Sequence, residues 1–278
     1  RERNRYNFRA FDRVNERMTG MSPGVLAKRI LNQVGTSLPN NSANKEFIQT
    51  LGGNYLIWNN EQNTVQGSRD NTFGYRGDST LYYSPAAFEE PTDNGRSWQV
   101  ESWFSFTTTD LYGRLRSKYR DFLNLLEKAG LYDPDLYTFP FITRGESYTI
   151  FIPTEQALNN FRLDTLPGKQ LEKILKYHFI RGEKIFTDNK KSWKNYETLR
   201  KDEASGQFTN DFSTLNIRPG PDKIDILNHN GGLVTTINES AGKTNIMVAY
   251  DTDEESEEIT DFITTTVIHE IDTVLTYK

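Results

Sequence analysis

An α+β fold is predicted for this 278-residue chain by three observations. Leu111, Leu115, Tyr119, Phe122, Leu126 and Ala129 recur at helical spacing and predict one long amphipathic helix. From Phe212 onward, short β-branched segments punctuated by turn residues predict a meander that ends in a closing strand. The chain also repeats itself in outline, which predicts two tandem copies of one unit, the first incomplete.

Taken in order, Phe11, Val14 and Met18 predict a short helix over Ala10 to Met18. Ser22 followed by Pro23 reads as a cap and a first-turn proline. The helix after them runs to about Val34 and is expected to bury Leu26, Ile30 and Leu31. Gly35 onward reads as loop until Asn54 to Trp58, a strand turned by Asn59-Asn60, with Thr64 to Gln66 a shorter one. Gly67 to Thr92 reads as loop apart from Tyr82-Tyr83. Asn94-Gly95 is a turn, and Trp98, Val100 and Trp103-Phe104 predict the strand after it. Thr107 to Asp110 supplies the cap of the long helix, and Gly130 its left-handed end.

In the second half, Ser147 to Ile152 is apolar on both alternating faces and predicts a strand buried on both sides. Pro153, which has no amide hydrogen to donate, stops it, and Thr154 caps a helix through Phe161. Pro167-Gly168 breaks that helix, and Lys169 to Phe179 forms another with Leu171, Ile174, Leu175 and His178 on one side. The meander strands are Ser213 to Ile217, Lys223 to Leu227, Leu233 to Ile237 and Asn245 to Tyr250, with Asn230-Gly231-Gly232 turning the middle pair. Asp251 to Asp261 is an acidic loop. In the closing stretch, Val267 to Leu275, alternation predicts a strand with one buried face.

The repeat aligns Arg29-Ile30-Leu31 with Lys173-Ile174-Leu175, and Gln49-Thr50-Leu51 with Glu197-Thr198-Leu199. Gly95 to Phe104 aligns with Thr266 to Leu275, and the helix near Ala10 with the one near Ala157. The first copy has no counterpart of the long helix and buried strand. Residues 1–105 are therefore expected to be a partial domain, the C-terminal half of the unit, and residues 106–278 a complete one.

The motifs of the second unit resemble the fasciclin domain family. Tyr148 to Leu158, with Phe151, Pro153 and Thr154, is similar to that family's first block, and Tyr177-His178 to its Tyr-His pair. Val267 to Leu275, with His269 and Asp272, is similar to its second block, although Thr265-Thr266 stands where an Asn-Gly entry is usual. The resemblance covers about Thr107 to Leu275. It implies two β-sheets forming a wedge or sandwich beside a bundle of short α-helices. It also implies a structural role for these seven residues, the imidazoles tying helix to sheet and Asp272 accepting from backbone amides or from Tyr177.

Composition narrows the function. With no cysteine, disulfides, zinc–thiolate sites and thiol catalysis are excluded. A net charge of −5 argues against a nucleic-acid partner. No apolar run approaches the roughly 18 residues that span a bilayer, and Arg1 to Tyr6 lacks the apolar core of a signal peptide. The three histidines, His178, His229 and His269, have no metal-ligand spacing, and no phosphate loop or nucleophile elbow is present. Neither a cofactor nor a metal is expected, and no catalytic residue is nominated. The function expected is non-enzymatic adhesion or binding at a cell surface, secreted or outer-membrane-anchored, in a bacterial envelope protein with a lipid anchor upstream. The expected partner is a surface protein or an extracellular-matrix or glycan ligand, and the chain is expected to be a monomer. The alternative is polysaccharide capture through exposed aromatics, with Trp193 and Tyr196, among Lys190, Lys191 and Lys194, the candidate contacts.

Overall fold

The computed structural model describes residues 22–69, 103–202, 211–237, 242–251 and 262–277, with strand segments at 9–12, 17–20, 81–82, 89–92 and 95–98. The acidic run at 252–261 and Tyr83 lie outside the described residues.

The N-terminal region opens with an antiparallel hairpin, β1 (Arg9–Asp12) and β2 (Arg17–Gly20), where a helix over Ala10 to Met18 was expected. Three apolar residues do not distinguish helical from extended spacing in so short a stretch. Helix α1 (Pro23–Leu31) starts as its sequence dictates, with Ser22 Oγ accepting the Val25 amide at 3.3 Å. Its apolar face is not covered: Ile30 and Leu31 are exposed rather than buried, and Leu26 is half-buried.

Four strands follow as one antiparallel sheet, β3 (Lys45–Gln49), β4 (Tyr55–Asn59), β5 (Thr64–Gln66) and β6 (Leu81–Tyr82). Strand β3 falls where loop was expected, because Lys45, Glu46 and Gln49 are poor strand formers on their own. A second hairpin joins β7 (Glu89–Thr92) to β8 (Gly95–Trp98). Val100 of the strand expected to run to Phe104 lies outside the described residues, and 103–106 is irregular. Gln33 holds that stretch, accepting the Phe104 amide at 2.8 Å and donating to its carbonyl at 3.4 Å.

The stripe beginning at Leu111 forms two helices rather than one, α2 (Leu111–Lys118) and α3 (Arg120–Lys128). Tyr119 breaks them with φ −135° and ψ 47°, and its hydroxyl donates to Glu270 at 3.2 Å. Leu115, Phe122 and Leu126 stay buried on both sides of the break, so α2 can pack on the sheet while α3 packs on a neighbouring helix. The chain then makes β9 (Tyr148–Pro153), α4 (Glu155–Phe161), a 3₁₀ turn at Leu163–Thr165 and α5 (Gly168–Tyr177). The remaining strands are β10 (Phe179–Arg181), β11 (Lys194–Lys201), β12 (Phe212–Gly220), β13 (Lys223–Leu227), β14 (Leu233–Thr235), β15 (Ile246–Asp251) and β16 (Phe262–Ile271).

These eight strands form one ladder in the order β14-β13-β12-β11-β10-β9-β16-β15, antiparallel except for the parallel β9–β16 pair. The ladder curls until Thr236, just past β14, bridges Ile271, and the Ile237 amide donates to Glu270 O at 2.9 Å. The two halves of the ladder therefore face each other as two layers. Phe151, Ile180, Leu215, Ile217, Ile226 and Leu275 fill the space inside the curl. Ile150, Ile152 and Ile268 point the other way and meet Leu115, Phe122, Leu126, Leu171 and Leu175 of the helices. Strands β9 and β16 are thus buried on both faces, and β16 ends at Ile271 rather than running to Leu275 with one face exposed.

The N-terminal sheet packs on this unit along a seam. The ring of Phe47 stacks on Phe186 at 4.4 Å and Tyr55 tilts onto Phe186 at 4.8 Å, beside Met247 and Val267. Glu46, fully buried, accepts the Asn40 and Asn41 amides and Asn60 Nδ2, and lies 3.2 Å from Lys190 Nζ. Burial pushes its pKa up, but those hydrogen bonds and Lys190 outweigh burial and hold it below the usual carboxylate value. Asp188 receives the Phe47 amide on its carboxylate at 3.2 Å. Asn54 donates to Phe262 O at 3.0 Å and accepts from Thr264 Oγ1 at 3.2 Å.

Candidate functional site

The motif residues form the inner frame of the curled unit. Pro153 is the last residue paired with β16, opposite Ile271, and the Thr154 amide supplies the next bond to Ile271 O at 2.8 Å. Thr154 Oγ1 then caps α4 by accepting the Ala157 amide at 3.3 Å. Phe151 is fully buried, its ring 5.7 Å from that of His269.

Both histidines are fully buried and each bridges two backbone groups. His178 Nδ1 meets Ile174 O at 2.8 Å, and Nε2 accepts the Leu275 amide at 3.0 Å. His269 does the reverse: Nε2 meets Ile185 O at 2.8 Å and Nδ1 accepts the Asn245 amide at 3.3 Å. An acceptor nitrogen facing an N–H requires a neutral ring, so the partners assign opposite tautomers to the two residues. Burial lowers the pKa of each to about 4 against the ordinary 6.5, the backbone carbonyl only partly opposing it. Neutral rings whose two nitrogens are both engaged have no lone pair or proton to offer a substrate. His229 is exposed and distant in role, and among the described residues no group of three or more His, Asp or Glu side chains is placed to hold a metal ion.

Tyr177 donates to Thr214 O at 3.2 Å, not to Asp272. Asp272 itself lies beyond the end of β16, exposed, accepting the Thr273 hydroxyl at 3.1 Å, because the chain turns out of the sheet after Ile271.

Trp193 and Tyr196 do not form one exposed platform. They sit at the start of β11, and strand alternation sends Tyr196 inward. Tyr196 is 2% exposed and donates to Ser192 O at 2.6 Å, whereas Trp193 is 66% exposed. The Trp193 indole donates to Asn216 at 2.6 Å, with the Arg218 guanidinium 5.7 Å from its ring.

Two concave surfaces were not singled out from the sequence. One is an apolar groove of about 760 Å³ on the N-terminal region, lined by Val34, Leu38, Ile48, Trp58, Trp98 and Trp103 among others. Trp58 and Trp98 meet edge to face at 5.1 Å, and Trp103 is 46% exposed. Gly67 lets this wall close: a Cβ there would sit 1.8 Å from Ser105 O. The signal in the sequence was the concentration of tryptophan at 58, 98 and 103, which reads equally well as core. The other is a cleft of about 590 Å³ between the start of α2, the 137–146 segment and the ends of β15 and β16.

A model of the fasciclin domain matches residues 117–277. Among solved structures, a FAS1 domain pair from the insect cell adhesion molecule Fasciclin I is similar at 16% identity, over 85% of this chain and 73% of that one, with a TM-score of 0.38. No curated protein matches the chain. Among the described residues no helix is long and apolar enough to cross a membrane.

Proposed function

The chain belongs to the fasciclin domain family, and on that premise we propose that it is a non-enzymatic adhesion protein whose partner docks in the tryptophan-lined groove. Its histidines support this, being locked as neutral structural bridges. The observation that carries the reading is the groove itself, with Ile30, Val34, Leu38 and Trp103 left exposed around it. The occupant is accordingly an apolar segment of a surface or matrix protein.

In this proposal the protein is monomeric and works outside the cell, on a bacterial envelope through a lipid anchor upstream or after secretion. Residues 106–278 are its complete fasciclin-like domain, and residues 1–105 a partial tandem copy that carries the groove.

Beads coated with the protein should attach to surfaces bearing matrix proteins. Val34→Asp/Trp103→Ala should cut attachment at least tenfold. Equal attachment of the variant would overturn the groove assignment, and no attachment by the wild type would overturn adhesion.

A second reading, polysaccharide capture, is favoured by the exposed ring of Trp193 beside Asn216 and Arg218. With Tyr196 buried, Trp193 offers a sugar one ring rather than two. Loss of glycan binding in Trp193→Ala would place that capture at β11.

A further inference from the structure

We infer that the cleft beside α2 is a binding site for a neutral oligosaccharide, with Tyr137 as its stacking platform. The inference deepens the polysaccharide reading and rests on it, but it moves the site away from Trp193.

The loop that presents Tyr137 is tightly closed. The Asp133 amide donates to Thr138 O at 2.9 Å and the Thr138 amide to Asp133 O at 3.3 Å. Asp133 Oδ1 accepts the Asp135 and Leu136 amides at 2.9 and 3.1 Å. Within this loop Tyr137 has φ +53°. Left-handed backbone is tolerated by Asn and Asp, which hold five of the seven such non-glycine positions among the described residues: Asn41, Asn63, Asn189, Asn245 and Asp222. Tyr137 is the one aromatic residue in that set, and a bulky ring there is strained.

The strain is not repaid by burial, since Tyr137 is 60% exposed. What it achieves is position. The Tyr137 ring lies 5.0 Å from that of Tyr112, which stacks at 9° on Tyr132, and Tyr132 lies 5.1 Å from Phe139. A row of four rings is thereby fixed along one wall, with its outermost member offered to solvent. Tyr250 and Phe262 line the cleft from the ends of β15 and β16.

The lining chemistry selects the ligand. The apolar C–H face of a pyranose packs against the negative face of an aromatic ring, while its hydroxyls need donors and acceptors at the edge. Asp110, Glu146 and Arg144 line the same cleft beside Thr108, Thr138 and Thr143, whose hydroxyls both donate and accept. Among the described lining residues two carboxylates stand against one guanidinium, which disfavours a uronic acid, so the saccharide is neutral. The volume of about 590 Å³ lies within the usual range for small-ligand sites.

Titration with cellotetraose, xylotetraose, mannotetraose and maltotetraose, followed by tyrosine fluorescence and calorimetry, tests the assignment. At least one should bind, at least tenfold more tightly than trigalacturonate. Tyr137→Gly separates function from structure, because glycine relaxes the left-handed backbone while removing the ring. Its affinity should fall at least tenfold while the thermal midpoint holds or rises. Tyr137→Ala should lose binding as well, and Trp193→Ala should keep it. Binding that survives Tyr137→Gly but disappears in Trp193→Ala would overturn this site and leave polysaccharide capture standing at β11. No binding of any neutral tetrasaccharide by the wild type would overturn both.

Discussion

The curled fasciclin unit and the N-terminal region handle buried and exposed groups in opposite ways. In the curled unit, polar side chains go inward and tie elements together: His178, His269 and Thr149 each bridge backbone groups. In the N-terminal region, α1 has no fully buried residue and tryptophan lines an open groove, while a polar network runs along the seam around Glu46 and Asn54. A frame whose buried polar side chains bridge its elements is built for rigidity. A sheet that leaves apolar side chains uncovered is built for contact. In this molecule the frame is the interior of the curled unit, and the contact surfaces are the N-terminal groove and the rings of Tyr137 and Trp193 on that unit's outside.

The largest test of that division is core truncation. Phe151→Ala should cost about 4 kcal/mol, the range for removing a fully buried aromatic ring. Trp103→Ala, taking away a half-exposed ring at the groove, should cost well under 1 kcal/mol. Urea midpoints of the two variants check this, and equal losses would break the comparison.

Next is pH. Unfolded histidines take up protons near 6.5, whereas His178 and His269 in the folded chain resist until about 4. Protons therefore favour the unfolded chain between those values, and stability should fall as pH drops from 6.5 toward 4. Each histidine contributes about 3 kcal/mol to that loss. Urea unfolding at pH 7, 6 and 5 reads the slope.

A smaller effect is expected at the seam. Glu46→Ala leaves Lys190 without that carboxylate and three donors, the Asn40 and Asn41 amides and Asn60 Nδ2, without their acceptor, at about 2 kcal/mol. Limited proteolysis should then cut first within 35–69, ahead of 148–181. Simultaneous cutting would mean that the seam does not hold the two regions together.

The legibility of the fold in the sequence follows the same divide. Tyr148–Pro153, the Thr154 cap and Lys223–Leu227 were readable because apolar pattern, β-branching and turn chemistry agree there. Strand β3 was not, because Glu46 is buried only through partners contributed by Asn40, Asn60 and Lys190, which no local pattern contains. Strand β11 was hidden by its charges. Glu197 and Lys201 face out, Lys194 is exposed at the strand's start, and Arg200 turns inward to lie 3.5 Å from the Tyr277 ring. The break at Tyr119 was invisible because the apolar stripe continues through it. Of the residues proposed for binding, Trp193 is exposed and Tyr196 is not, a difference decided by strand alternation once the strand is known. The groove and the Tyr137 cleft each assemble residues from distant segments, so neither was readable from spacing.

The most direct test of the division is His178→Gln/His269→Gln, measured for stability and for bead attachment at a temperature where the variant remains folded. The account predicts a lower urea midpoint, a flattened dependence on pH between 7 and 5, and attachment equal to wild type. Unchanged stability with attachment abolished would contradict it, and would make the two histidines part of the binding site.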